Sequence, residues 1–165
     1  EKAFRTIVKN RVSHGGILAN GSGLMRHGEN GKGLSSRWYP RTIARRIRAI
    51  VRQGEKLQFV TGDGMEALTT YASRPDLVAF LDPPYTAGGK NAGKRLYKHH
   101  EIDHERLFAI VGSMRGDFLM TYDDCEEVRS LAAEHKLDVE AVSMQSRHLS
   151  KMTELLVGRT LEWAR

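Results

Sequence analysis

From residue 55 onward, short apolar segments of strand length alternate with segments whose apolar residues recur at helical spacing. Strands that are connected through helices lie parallel in one sheet, and the helices cover its faces. The alternation therefore predicts an α/β fold with a mostly parallel sheet, in which residues 57–61 and 77–81 are strands. The last two apolar runs, LDVEAVSMQ and TELLVGR, are joined by too few residues for a crossover helix, which predicts an antiparallel C-terminal strand pair.

The first 54 residues follow a different pattern. Residues 3–13 carry apolar side chains at helical spacing and predict an amphipathic helix. The glycine-rich segment 13–39 has no stable period and predicts a long irregular insertion. Pro40 suits the start of a second helix, which Gly54 terminates.

Positive charge is concentrated in the same part of the chain. The formal net charge is +6, and the lysines and arginines cluster before residue 60. This distribution suits either a polyanionic partner or an ordinary basic protein. The second helix carries a basic face that is either a solvated surface or a phosphate contact: Arg41, Arg45, Arg46, Arg48 and Arg52.

Cysteine content and hydropathy exclude several classes of protein. Cys125 is the only cysteine, which rules out an internal disulfide and a zinc site built from cysteines and fits a reducing compartment. No apolar run approaches the roughly 20 residues of a membrane span, and the first residues lack a signal-peptide layout. We therefore expect a cytoplasmic protein without a membrane partner.

The strand at 77–81 is followed directly by Asp82, Pro83, Pro84 and Tyr85. Ligands of open α/β sheets bind beyond the carboxyl ends of the strands. The two prolines lack amide hydrogens and restrict the chain, so that the carbonyls of this turn face outward as acceptors. A carboxylate and a carbonyl together accept both hydrogens of an amino group, and Tyr85 offers a flat surface to a planar ring. These four residues predict a receptor for an aromatic amine.

The residues after this turn offer a competing interpretation. Gly88 to Lys94 match the spacing G-x-x-x-x-G-K of a phosphate-binding loop. However, Arg95 stands where a serine or threonine would hold magnesium, and no helical pattern begins there. We therefore favour a basic loop over a nucleotide site.

The DPPY turn resembles the catalytic motif of S-adenosylmethionine-dependent amino-methyltransferases, which accepts the flipped base. Three later segments, YKHHEIDHERLFAIV, DFLMTYDDCEEVRSL and RHLSKMTELLVGR, resemble adenine-specific DNA methyltransferases of the Dam-like alpha class. Asp123 stands where that family usually has asparagine. Residues 10–18, NRVSHGGIL, are similar to part of the family's target-recognition region, so the resemblance extends over nearly the whole chain.

The resemblance implies a partial Rossmann-like methyltransferase sheet. Residues 55–165 would be the C-terminal part of the catalytic domain, and residues 1–54 a target-recognition region of helices and a glycine-rich loop. It also implies double-stranded DNA as partner, methyl transfer to the exocyclic amine of adenine at Asp82 to Tyr85, and S-adenosylmethionine as cofactor on Asp63 and Asp82. A helix-capping role is the alternative for Asp63. The implied DNA contacts are Asn10, Arg11, Arg26, Lys32 and Arg37.

The chain departs from the family in one large respect. The aromatic-x-Gly-x-Gly cofactor fingerprint and the acidic ribose-binding residue, which precede the recognition region in the family, do not occur here. We therefore expect weak cofactor binding by these residues alone and apolar surface that further strands would cover. Two alternatives stay open: an amino-methyltransferase acting on cytosine or RNA, and a catalytically defective DNA-binding remnant.

A histidine-rich segment follows the basic loop. His99, His100 and His104 lie near Asp103, but only His100 and His104 have the four-residue spacing that brings two ligands together on a helix. Direct methyl transfer needs no metal. We predict that these are exposed polar residues and that there is no metal site.

Overall fold

The computed structural model describes residues 1–19, 22–28, 31–89, 99–145 and 151–165. The described residues up to Thr61 form one structural unit, and those from Gly62 onward form a second. The domain boundary predicted between residues 54 and 55 lies shortly before this division. Within the described ranges, each helix is too short or too polar to cross a membrane.

The first unit consists of two helices and the irregular chain between them. Helix α1 spans Lys2–Val12 and helix α2 spans Pro40–Arg52, which confirms both predicted helices. Single 3-10 turns occur at His14–Gly16, Leu34–Arg37 and Gly54–Lys56. No apolar side chain described in this unit is buried, since its two buried residues are Ser13 and Ser36.

The strand predicted at residues 57–61 is wrong. This segment forms no strand and pairs with none of the strands among the described residues. Its apolar side chains are exposed, and Phe59 retains 91% of its accessible surface. A strand requires a neighbour for its backbone and burial for at least one face, and this segment has neither.

The second unit is a mixed α/β structure with a four-stranded sheet. The strands are β1 (Val78–Leu81), β2 (Asp117–Asp123), β3 (Asp138–Gln145) and β4 (Lys151–Gly158), and their order in the sheet is β1-β2-β4-β3. Strands β1 and β2 are parallel, whereas β4 is antiparallel to both β2 and β3. The antiparallel C-terminal pair is confirmed. The sheet is mixed: β1, β2 and β3 run in the same direction, as a mostly parallel sheet requires, but β4 lies between β2 and β3 and makes two of the three neighbouring pairs antiparallel.

Three helices pack on one face of this sheet: α3 (Gly64–Tyr71), α4 (His104–Ser113) and α5 (Glu126–Glu134). Side chains alternate between the faces of a strand, so that Phe118, Met120 and Tyr122 of β2 all enter the core on this face. Helix α4 adds Phe108, which is fully buried. The core holds β1 and β2 side by side and so fixes where their carboxyl ends lie.

Aspartates cap the starts of two of the helices in the second unit, α3 and α4, whereas α5 has no side-chain cap. Asp103 and Asp124 each precede a segment whose apolar residues have helical spacing, which predicts both of them as N-caps. Asp103 accepts the backbone N–H of Arg106 at 2.9 Å and caps α4, which confirms its prediction. Asp124 was expected to cap α5, but the helix begins one residue later, after Cys125, which makes no side-chain cap. The carboxylate of Asp124 instead pairs with Arg129 at 2.7 Å.

Candidate functional site

The DPPY turn begins where β1 ends, next to the carboxyl end of β2. Thr121 of β2 donates its hydroxyl hydrogen to Asp82 Oδ1 at 2.9 Å. This bond occupies one carboxylate oxygen and fixes the side chain, while Asp82 as a whole remains exposed. The Tyr85 hydroxyl also interacts with this carboxylate and with Thr121. The parallel pairing of the two strands therefore orients the carboxylate toward the DPPY turn.

The two prolines differ in what their carbonyls do. The Pro84 carbonyl accepts the backbone N–H of Thr86 at 2.9 Å and closes the turn. The Pro83 carbonyl has no partner within the part of the chain that the structure describes. It is the available backbone acceptor beside Asp82, and both residues line the same cleft.

Tyr85 is held by a cluster of aromatic and polar side chains. Its ring stacks on that of Tyr122, with 6.1 Å between the centroids and 25° between the planes. The Tyr122 hydroxyl lies 3.0 Å from Nδ1 of His104, and the His104 Nε2 lies 3.0 Å from the hydroxyl of Thr86. These contacts tie the turn to the core on both sides of Tyr85.

Burial controls the charges of this cluster. It raises the pKa of Tyr85 to about 12, and the Asp82 carboxylate acts in the same direction. Burial likewise raises the pKa of Tyr122 and lowers that of His104. All three side chains are therefore neutral at pH 7. The prediction that His104 is an exposed polar residue is wrong, since it is 8% exposed.

A cleft of about 510 Å³ opens beside the strand end and brings together the two predicted cofactor-binding residues. Its volume is in the range of small-molecule sites. Asp63 and Asp82 both line it, while apolar side chains form much of the remaining wall. The complete lining is Asp63, Gly64, Met65, Leu68, Phe80, Leu81, Asp82, Pro83, Pro84, His99, Glu101, Ile102, Asp103, Arg106 and Leu107.

The cleft has an acidic character. Four of its lining residues are carboxylic acids, whereas Arg106 is its only arginine or lysine within the described ranges. Asp63 Oδ1 accepts the backbone N–H groups of Met65 and Glu66 and caps α3, which confirms the capping role considered for this residue. Its Oδ2 has no such partner in the described chain. The lining suits a ligand that carries a positive charge or amino hydrogens.

The described residues give no support to a phosphate-binding loop at Gly88 to Lys94. The Gly88 backbone N–H donates to the Glu127 carboxylate, so an acid of the protein already occupies this donor. Residues 90–94 of the loop lie outside the described residues. Across the ranges that the structure describes, no group of three or more His, Cys, Asp or Glu side chains could hold a metal ion.

Three of the predicted DNA-binding residues stabilise a turn of the first unit or lie beside it. Asn10 donates to the Gly16 carbonyl at 2.6 Å, and Arg37 donates to the Ser13 carbonyl at 3.1 Å. Gly16 has a φ of +76°, and a Cβ at this position would lie 2.7 Å from the Arg37 guanidinium. The neighbouring Arg11 is half-buried, and its Nε has no hydrogen-bond partner among the described residues.

The other two predicted DNA-binding residues, Arg26 and Lys32, are exposed on the irregular chain. Neither forms an ion pair or a side-chain hydrogen bond within the described chain. The five residues thus divide into three that are engaged in or near a turn and two whose charges are available to a partner.

The sequence interpretation missed three supporting residues. It did not single out Thr121 or Tyr122, and it considered His104 only as a metal ligand. The first two could have been found, because the carboxyl ends of parallel neighbours meet at one edge of a sheet and β2 follows β1. Comparison with models of known protein families and with curated protein sequences finds no match to this chain.

Proposed function

We propose that this chain forms the base-accepting and DNA-binding part of a site-specific DNA methyltransferase, which transfers a methyl group from S-adenosylmethionine to the exocyclic amine of adenine. One observation carries the proposal: an exposed carboxylate, Asp82, and the Pro83 carbonyl lie next to each other at a strand end, beside a half-buried tyrosine and an acidic cleft.

The two acceptors suit an amino group with two hydrogens. Asp82 Oδ2 and the Pro83 carbonyl would each accept one hydrogen of the adenine amine. The bond from Thr121 to Oδ1 orients the carboxylate before the base arrives. Since the amine lone pair is delocalised into the ring, holding both hydrogens favours a pyramidal nitrogen whose lone pair can attack.

Tyr85 suits the ring of a flipped base. A base inside a duplex reaches such a site only by leaving the stack, and an aromatic surface replaces part of the lost stacking. Tyr122 contacts the Tyr85 ring and limits its rotation. With a pKa of about 12, Tyr85 stays uncharged at physiological pH, as a stacking surface should.

The cleft fits S-adenosylmethionine in size and charge. When bound, this cofactor supplies an electrophilic methyl group on a sulfonium centre. The cation matches the acidic lining, and Asp63 and Asp82 are the residues that would hold the cofactor. Met65, Leu68 and Phe80 line the same cleft with apolar side chains and would suit the uncharged part of the cofactor.

Replacement of Asp82 tests the proposal in the full-length protein. Asp82→Ala removes an acceptor of the reacting amine, so we expect at least about a 100-fold loss of tritiated-methyl transfer to duplex DNA, with DNA affinity changed only several-fold. Asp76→Ala is the matched control: this aspartate lies just before the other end of β1, is exposed and pairs with Arg74 at 2.6 Å. It should transfer methyl groups at the wild-type rate.

The labelled product separates the alternatives. We expect the label on the amine of adenine in digested DNA. Label on cytosine, or preferential labelling of RNA, would replace adenine in DNA as the substrate. Near-normal transfer by Asp82→Ala, or no transfer by the wild-type protein, would contradict the proposal.

A further inference from the structure

Four arginines form a row along helix α2. The helix turns about 100° per residue, so Arg41, Arg45, Arg48 and Arg52, at intervals of four, three and four residues, lie within a sector of about 60°. At a rise of about 1.5 Å per residue, the row is roughly 16 Å long. Arg46 lies about 130° around the helix from the centre of this row.

The arginine row is exposed and unneutralised. All four side chains are exposed, and none forms a hydrogen bond or an ion pair with another of the residues that the structure describes. By contrast, Arg74, Arg129 and Arg165 of the second unit each pair with a carboxylate. Like charges three or four residues apart on a helix repel one another and destabilise it. A polyanion laid along the row would remove that repulsion.

The charge of the surrounding unit favours the same class of partner. Residues 1–61 contain thirteen lysines and arginines against three acidic residues, so their net charge is +10. Residues 62–165 contain thirteen lysines and arginines against seventeen acidic residues, so their net charge is −4. The helix itself uses only arginine, whose planar guanidinium binds phosphate oxygens in a bidentate manner.

An anionic membrane fits this helix less well. Its apolar residues, Ile43, Ile47, Ile50 and Val51, lie on the side away from the arginine row. A helix that inserts this apolar side into a bilayer points the row toward water, about a helix diameter of roughly 10 Å from the headgroups. A rod-like polyanion can instead contact all four arginines at once.

We propose that the arginine row of α2 binds the phosphate backbone of duplex DNA. The choice of DNA as the source of the phosphates rests on the proposed function, whereas the phosphate chemistry follows from the helix itself. Such contacts position a protein on the duplex without reading its sequence. The row therefore supplies affinity and register, and base recognition must come from other residues.

The test uses two adjacent arginines of one helix. Binding of the chain to a fluorescent mixed-sequence duplex of about 20 base pairs is titrated over a range of salt concentrations. The plot of log K against log salt has a negative slope, and each lost phosphate contact reduces the magnitude of that slope by about 0.9. We expect the magnitude of the slope to fall by about 0.9 for Arg45→Gln and not to change for Arg46→Gln. In the fourfold variant, in which all four arginines of the row are replaced by glutamine, it should fall by about 3.6. Arg45→Lys retains the charge and should retain most of the slope.

Equal slopes for Arg45→Gln and Arg46→Gln would overturn the proposal, as would absence of duplex binding by the wild-type chain. Another outcome is that the chain binds an RNA duplex, or vesicles with anionic lipids, more strongly than duplex DNA. If the fourfold variant loses that stronger binding, the row belongs to that partner and not to DNA. Circular dichroism checks that the variants keep the helix. The slopes do not depend on methyl transfer, so failure of the proposed function and failure of the phosphate contact are distinguishable.

Discussion

Acidification of the buried His104 should destabilise the second unit. The imidazole lies at the start of α4 and contacts the hydroxyls of Thr86 and Tyr122 at 3.0 Å each. Burial lowers its pKa, although the carboxylates of Glu127 on α5 and Asp103 beside it act in the opposite direction. Both hydroxyls can accept a hydrogen bond from an imidazolium, so the cost of protonation is mainly the desolvation of the charge.

The sign and size of the effect follow from linkage. In the unfolded chain a histidine has a pKa of about 6.5, and in the folded protein that of His104 lies below this value. Above about pH 6.5 the side chain is neutral in both states, and the full stability is present. As the pH falls, the unfolded state binds the proton first, so the free energy of unfolding drops by up to about 1.4 kcal/mol per pH unit. The drop ends once the pH is below the folded-state pKa.

Urea unfolding followed by circular dichroism between pH 8 and pH 5 measures this slope. His104→Gln should lower the stability at pH 8 and remove the slope between pH 6.5 and the folded-state pKa. His99→Gln is the control, because His99 is exposed in the same unit, and it should keep the wild-type slope. A flat wild-type profile over this range, or an unchanged slope in His104→Gln, would refute the argument that His104 is buried in its neutral form.

Two further substitutions test the packing around the site. A Cβ at Gly116 would lie 2.3 Å from the Leu77 carbonyl oxygen. Gly116→Ala should therefore lower the urea midpoint by the equivalent of about 1–3 kcal/mol. Gly54→Ala is the control and should change the midpoint little, because a Cβ there meets no atom within 4 Å. Asp63→Ala should cost about 1 kcal/mol by removing the cap of α3, whereas Asp63→Asn should keep the cap and most of the stability in the same assay.

The sequence predicted the elements that depend on local patterns. The apolar run before Asp82 became β1, and Asp103 became the cap of α4, because alternation and capping act over a few residues. That Asp63 and Asp82 line one cleft agrees with what the resemblance implied, but the strand pattern does not explain it, because the segment before Asp63 is not a strand.

Features that depend on distant contacts could not be predicted in the same way. Residues 57–61 have a strand-like composition, but β-propensity takes effect only beside a partner strand. The terminal pair was expected to be antiparallel, yet that expectation does not say which of the two strands inserts next to β2. His104 sits in a polar run that resembles an exposed helix start, and only the fold places its ring against Tyr122.

The outer edge of β1 bears on how the protein behaves at high concentration. Strand β1 ends the sheet within the described part of the chain, so one side of its backbone has no strand partner there. Two apolar side chains of this edge strand are exposed, Val78 by 79% and Phe80 by 67%. Unpaired, apolar strand edges promote pairing between molecules.

Val78→Lys should therefore reduce self-association while leaving the fold intact. A charge on an edge strand opposes edge-to-edge pairing, and the Val78 side chain is 79% exposed, so its loss should change the free energy of unfolding by no more than about 0.5 kcal/mol. Val51→Lys on α2 makes the same change at a side chain that is 71% exposed but lies outside the sheet. Sedimentation velocity over increasing concentrations should show less association for Val78→Lys only. If Val51→Lys alone disperses the protein, the apolar side of α2 is the associating surface, and the argument from the strand edge fails.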